Sequence, residues 1–422
     1  MSAKGEPVAA SAAATAHLDA MWADLAPVGR DAGTGGYRRY AWTATDATLR
    51  EWFAGECAAL GLDLVEDRAG NQWAWWGDPD TAASAGDPGV AIGSHLDSVP
   101  DGGAFDGPLG VVSSLATVTA LREAGVRPAR PLAVVNFGDE EGARFGVACA
   151  GSRVVTGALD PDRARGLTDA DGVSIAEAWQ RAGRDPGHLG RDEETLRRVG
   201  AFVELHVEQG RALADPARQW QVDDPAVAVG TSIWPHGRWR LDLPGVADHA
   251  GTTALADRSD AMLSAAEITL AARELAECHG CVATIGRVEV TPGGVNAIPS
   301  HVTCWLDARG ADQAAVRACV AGIGERVAAL GGTSTEMSWT ADTPFTVDLS
   351  GRVHEALGGS TPLLSTGAGH DAGVLASAGV PSAMLFVRNP TGVSHSPAEH
   401  AEQADCHAGL AALTRVVTEL VR

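Results

Sequence analysis

Two rhythms of apolar residues alternate along this chain. Short unbroken runs, "GVAIG" at 89–93, "PLAVVNF" at 131–137, "GAFVELH" at 200–206 and "AMLFV" at 383–387, read as buried strands. Longer stretches with helical spacing stand between and after them, at 107–124 ("GPLGVVSSLATVTALREA") and 402–421. Strands separated by helices predict an α/β class, a mostly parallel mixed sheet flanked by helices.

The rhythm changes from about Asp224 to Ala341. "RWRLDLPG" alternates like a half-buried strand, "DAMLSAAEITLAARELAE" is helical, and "VATIGRVEV" and "HVTCWLDAR" are strands. A second helix near 312–330 and the strand "STEMSWTA" complete a β-α-β-β-α-β order, which predicts a small open-faced sandwich inserted into the larger domain. The expected domains are therefore 1–223 with 342–422, and 224–341. "DPDTAASAGDPG" at 78–89 reads as a surface loop, and the Ala/Ser-rich start is the one low-complexity stretch.

Composition narrows the chemistry. A chain of 422 residues has material for two cores. Its formal charge of −22 argues against a nucleic-acid partner, which needs a basic footprint. Lys4, in an N-terminal stretch expected to be mobile, is the only lysine. Schiff-base chemistry, a pyridoxal phosphate anchor and a Walker-type phosphate loop are thereby excluded. Seven scattered cysteines suit a reducing compartment, and "CHGC" at 278–281 lacks the second pair or the strand-to-helix turn that would give it meaning. The first twenty residues have no leucine-rich core of a signal peptide, and no apolar run nears the ~20 residues of a membrane span. A cytoplasmic protein with no membrane partner is expected.

The chemistry-bearing residues follow the strands. His95 and Asp97 come after the first, and Asp106 opens the helix that follows. "GDEEG" puts Asp139, Glu140 and Glu141 after the second, His206 ends the third, and His395 follows the fourth. Strands of an open α/β sheet end along one edge, where ligands bind, so these distant segments converge. A histidine at a strand end is ordinary loop chemistry, and Asp106 alone is a plausible helix cap. Four such segments at four strand ends are not coincidence. Imidazoles with carboxylates suit zinc, manganese, cobalt or nickel, and adjacent glutamates make sense where a cation neutralises one and leaves the other as a base.

In order, "GSHLDSVPDGGAFDGPLGV", "DEEGARFG…GSR", "ELHVEQG", "HAGTT", "GGVNAIPS" and "GAGHDA…GVSHSPAE" resemble the two-metal amidohydrolases. These are the allantoate amidohydrolases and N-carbamoyl-L-amino acid hydrolases, relatives of aminoacylases and dipeptidases. The resemblance runs from about residue 20 to the C-terminus. It implies a zinc-peptidase-like catalytic domain, an inserted lid and dimerisation domain, and two divalent ions per subunit (Zn, Mn, Co or Ni). By resemblance Asp106 bridges the ions, His95 and His206 complete one site, and Glu141 and His395 complete the other. Asp97 orients His95, and Glu140 is the general base. His249 stabilises the oxyanion in a partner subunit of a homodimer. Gln209, Asn296, Arg309, Gly369 and His370 hold a small substrate bearing a carboxylate.

The reaction implied is cleavage of the C–N bond of a ureido or N-carbamoyl group, on allantoate or an N-carbamoyl-L-amino acid. The alternatives are an N-formyl or N-acyl-L-amino acid deacylase or a dipeptidase, and, further off, a silent metabolite-binding relative. Two departures stand out. Gly237 occupies the place where the family has a glutamine, and Arg388-Asn389 replaces a Pro-Ser. Arg388 is expected to add a cation near the pocket mouth and favour a second substrate carboxylate.

Overall fold

The computed structural model describes residues 10–422; Lys4 and the rest of the first nine residues lie outside them. The described residues form two compact units, one of residues 10–231, 344–364 and 369–422, the other of 232–343 and 365–368. The second unit was expected to begin at 224. The strand Val227–Ile233 shifts that boundary, because its residues Val227–Val229 pair antiparallel with Ser382–Val387 of the large sheet.

In the first unit the sheet runs in the order Asp63–Glu66, Gln72–Trp76, Leu132–Phe137, Gly89–His95, Val199–Val207, Ser382–Val387, Val227–Ile233. The four strands from Leu132–Phe137 to Ser382–Val387 are mutually parallel. They are buried on both faces, which is why they read as unbroken apolar runs rather than as alternations. Their register matches His95 with Phe137 and His206 with Phe386, so their carboxyl ends share one edge.

The helix Pro108–Glu123 is buried on almost every side and packs in one core with the helices Ala12–Leu25 and Gln403–Leu420. Ala12–Leu25 lies in the stretch whose Ala/Ser bias hid it. Ser11 accepts the Ala14 N–H at 3.1 Å as N-cap, and Ala14, Leu18, Met21 and Leu25 face inward at helical spacing. The 78–89 segment is likewise not all loop. Asp78 caps a short helix, Pro79–Ser84, that starts on a proline. No helix among the described residues is long and apolar enough to cross a membrane.

The second unit is a four-stranded antiparallel sheet, ordered Thr333–Thr340, His236–Pro244, His301–Arg309, Val282–Thr291. Helices Ala261–His279 and Gln313–Ala329 enclose one core with it, into which Trp239, Leu241 and Leu243 point at alternate positions. All seven cysteines are unpaired, Cys278 and Cys281 included.

One buried side chain ties the fold to the sheet edge. Asp67 accepts the N–H groups of Ala69 and Asn71, the Asn71 amide and the Trp73 indole, all within 2.8–2.9 Å. Asn71, fixed in this way, accepts the Gly138 N–H at 2.9 Å, just ahead of Asp139–Glu141. Replacing Asp67 with Ala leaves several buried donors without an acceptor. The expected loss is about 3 kcal/mol in denaturant unfolding; an unchanged midpoint would show that the turn is held by other means.

Candidate metal centre

His95, Asp106, Glu140, Glu141, His206 and His395 come together at the sheet edge, within the first unit. His206 Nε2 lies 3.2 Å and His95 Nε2 3.7 Å from Asp106 Oδ1. His395 Nε2 lies 3.4 Å from the other oxygen, Asp106 Oδ2, and 3.5 Å from Glu141 Oε2. His95, Asp106 and His206 therefore form one group of metal-ligating atoms, and Asp106, Glu141 and His395 a second. Asp106 is common to both. The donor set fits divalent ions of the zinc and manganese class. His95 Nε2 is buried without a hydrogen-bond partner, which is the state of an imidazole nitrogen built to ligate a cation, and His206 Nε2 faces only Asp106 Oδ1.

Local sequence explains the convergence. Gly107 has φ +86° and sits against the His95 ring, where a Cβ would come within 2.4 Å of it. Only glycine lets the helix start so close to the histidine. Asp139, Cys149, Gln209 and His395 hold left-handed backbones around the cluster, with φ of 54–59°. Such residues persist only where the surroundings over-determine them, and they gather at functional sites.

Asp97 does more than stand beside His95 as expected. Its carboxylate accepts the N–H groups of Glu140 at 3.1 Å and Glu141 at 3.0 Å, so it fixes the turn carrying both glutamates. The His95 Nδ1 contact goes to the Asp97 backbone carbonyl at 3.2 Å, with Oδ1 at 3.4 Å. His206 Nδ1 is held by the Val207 carbonyl at 2.8 Å. Glu140 Oε2 lies 3.7 Å from His95 Nε2, and the Cys149 thiol donates to the other oxygen, Oε1, at 3.1 Å. Cys149 was not anticipated, since a cysteine in "GVACAGSR" has no local signature of contact with a base.

Burial dominates the electrostatics. It pushes the Glu140 and Glu141 carboxyls well above the usual range, with help from Asp371 beside Glu140 and Asp106 beside Glu141. Burial works the other way on His95 and His206, but the surrounding carboxylates outweigh it and raise both. On His370, burial and the neighbouring His206 outweigh Asp106 and hold it well below its ordinary value. Its ring centroid lies 4.5 Å from that of His206. Glu204, His206 and His370 form a third metal-ligating group. Glu204 is already engaged there, accepting from Ser94 Oγ at 2.7 Å and from the Ala372 N–H at 2.9 Å.

The expected substrate-holding residues divide between the units. In the first, the Gln209 amide nitrogen lies 2.7 Å from Asp106 Oδ2 and 3.4 Å from His395 Nε2, between two candidate ligands. Gly369 is exposed, next to buried His370. In the second, His249 and Asn296 are brought together, because Asp248–His249 pairs with Ala297–Ile298 and the Ala250 N–H donates to Asn296 O. Both are exposed. Arg309 is half-buried and fixed; its guanidinium binds both Asp307 oxygens, at 2.8 and 2.6 Å, and the Gly367 carbonyl at 2.7 Å.

Both departures read differently in three dimensions. Arg388 is no free cation. It makes two bonds, at 2.8 and 2.9 Å, to buried Asp405 and a further one to Asp224, so the expected second-carboxylate site is withdrawn. Asn389 is the active partner of the pair. Its amide accepts from Thr391 and Gly392 and donates to Val393 O, building the turn that leads into Ser394 and His395. Gly237 faces the helices, where a Cβ would come within 2.6 Å of Trp239 and 2.7 Å of Ser338 O, so a glutamine does not fit there.

The sequence pattern of the peptidase family M20/M25/M40 matches residues 91–419, a span that contains the whole cluster. The N-carbamoyl-L-amino acid amidohydrolase of Geobacillus stearothermophilus is 36% identical over 409 residues, covering 94% of this chain and 97% of the relative. The allantoate amidohydrolase of Escherichia coli K12 is 29% identical over 406 residues, covering 92% of this chain and 93% of the relative. A solved amidase of the hydantoinase/carbamoylase family from Burkholderia vietnamiensis matches with a TM-score of 0.84 at 28% identity, over 98% of each chain.

The titrations carry a definite sign. A carboxyl or imidazole whose folded pKa is raised binds more protons folded than unfolded, so its contribution to stability is lost as pH climbs through the folded value. Burial and Glu204 push Asp371 up to about 8, burial and Asp106 push Glu399 up to about 7, and Glu140, Glu141, His95 and His206 shift the same way. Protein stripped with a chelator is expected to unfold more easily at pH 8 than at pH 6, by on the order of 2 kcal/mol for Asp371 alone. Excess divalent metal should reverse the trend. A midpoint that rises with pH in chelator would contradict these electrostatics.

Proposed function

Since the chain belongs to the peptidase family M20/M25/M40 and is an amidohydrolase, we propose that it cleaves the C–N bond of a ureido or N-carbamoyl group with the help of two divalent metal ions. The substrate is amino-acid-like and carries a carboxylate: allantoate or an N-carbamoyl-L-amino acid. The observation that carries this reading is the shared position of Asp106, one oxygen toward His95 and His206, the other toward His395, with Glu140 beside the pair.

His95, Asp106 and His206 would hold one ion, and Asp106, Glu141 and His395 the other. Two such ions supply Lewis acidity that polarises the scissile carbonyl and makes water acidic. Glu140 takes the proton of the attacking water and returns it to the leaving nitrogen; the water oxygen ends on carbon and the C–N bond breaks. Burial raises the Glu140 carboxyl, which suits a group that must both accept and release a proton near neutral pH. His370, kept neutral by burial, and the Gly369 backbone orient the substrate. Arg309 would meet its carboxylate through the two guanidinium N–H groups that Asp307 and the Gly367 carbonyl leave open.

The protein works as a homodimer through its second unit, with His249 serving the oxyanion in the site of a second copy. Support comes from that unit's own surface. Val282–Thr291 is an edge strand with Val282 and Val288 exposed, and Leu263 and Leu270 stand exposed on one face of Ala261–His279. The cytoplasm is the compartment its seven unpaired cysteines fit.

The test is ammonia and amine release by metal-loaded protein from allantoate, a panel of N-carbamoyl-L-amino acids and N-formyl-L-glutamate. Ammonia release from a ureido substrate is expected, with kcat falling about 10²–10⁴-fold in Glu140→Gln while metal still binds. Formate release without ammonia would move the protein to the deacylases, and turnover unaffected by Glu140→Gln would remove the proposed base.

A further inference from the structure

We infer that Glu399 is a positioning residue that fastens the two halves of the proposed metal centre to each other; this rests on the two-metal reading above. Glu399 is buried, yet neither of the two proposed ligand groups includes it. Both its oxygens are used by protein donors instead. Oε2 accepts the backbone N–H groups of Phe105 at 2.8 Å and Asp106 at 3.1 Å, and Oε1 accepts the Ser394 hydroxyl at 3.0 Å.

These contacts join segments almost three hundred residues apart. One carries Asp106, the residue common to both ligand groups, and the other carries His395. Gly103 allows the approach. A Cβ there would lie 2.2 Å from Glu399 Oε2, so the loop before Asp106 can wrap over the carboxylate only with glycine at this position. On the other side the Glu399 N–H donates to Ser396 O at 3.0 Å, closing a turn directly after His395. His395 itself has φ +54°, a backbone that needs such neighbours to persist.

Ser394 completes the link. Its Oγ lies 3.0 Å from Glu399 Oε1 and 3.1 Å from Asp106 Oδ2, and a single hydroxyl proton serves one acceptor at a time. When Asp106 Oδ2 acts as a ligand, Glu399 is the acceptor that keeps the hydroxyl, and so the His395 loop, in place. Removing Glu399 therefore loosens both the Asp106 backbone and the His395 loop. It leaves His95, His206 and Glu141 in their own contacts.

The experiment is a cobalt titration of chelator-stripped protein, read by calorimetry and by the visible absorption of the bound ion. Wild type is expected to take two ions. Glu399→Ala should weaken the ion at His95 and His206 slightly, through Asp106, and the ion at Glu141 and His395 about 10–100-fold, the usual effect of removing a group that orients a ligand. Glu399→Gln keeps a carbonyl oxygen for the two backbone N–H groups and should restore much of that affinity and the wild-type spectrum. If Glu399→Ala does not fold, Ser394→Ala, which cuts only the link to the His395 loop, should weaken the same ion. Two ions bound by folded Glu399→Ala with wild-type affinities and spectrum would overturn the inference. Fewer than two ions bound by wild type would instead overturn the two-metal reading, and the inference with it.

Discussion

The structure turns on the withdrawal of many charges from water at one sheet edge. Asp97, Asp106, Glu140, Glu204 and Asp371 are buried there together with His95 and His206. Unpaired charges in such surroundings cost several kcal/mol each, and adjacent carboxylates repel. Protons and imidazolium ions relieve part of that cost, as the raised carboxyls and histidines show. Divalent cations would relieve it more completely if held by His95, Asp106 and His206 and by Asp106, Glu141 and His395.

The rest of the first unit holds this arrangement against its own repulsion. Parallel strands bring the segments to one edge, and a helix buried almost all round gives Asp106 a fixed starting point. Polar side chains beneath the cluster then set the loops. Asp67 fixes Asn71, which fixes Gly138; Asp97 fixes the Glu140–Glu141 turn; Asn389 builds the turn before His395. Four non-glycine residues in left-handed conformations at the same edge store the strain that these contacts offset.

Much of this was legible in the sequence because burial on two faces leaves an unbroken apolar run, and the residues after each run are few enough to inspect. The β-α-β-β-α-β insert was legible for the opposite reason, since its strands alternate. The helix Ala12–Leu25 was masked by alanine, which carries little hydrophobic contrast, although Ser11 and the spacing of Leu18, Met21 and Leu25 signalled it. Asp78 followed by Pro79 likewise announced a helix inside what read as a loop. What no local pattern reveals is a partner far away in the chain. Arg388 read as a free cation because Asp405 and Asp224 are distant in sequence. Asp97 read as a partner of His95, which its carboxylate does face, but its bonds to the Glu140 and Glu141 N–H groups had no local signal.

The central claim is that Asp106 is shared by two ions. Anomalous diffraction from crystals of the zinc-loaded protein tests it most directly. The account predicts two peaks flanking the Asp106 carboxylate, one contacting His95 and His206, the other Glu141 and His395. A single peak, or one held by Glu204, His206 and His370 with none at His395, would contradict it.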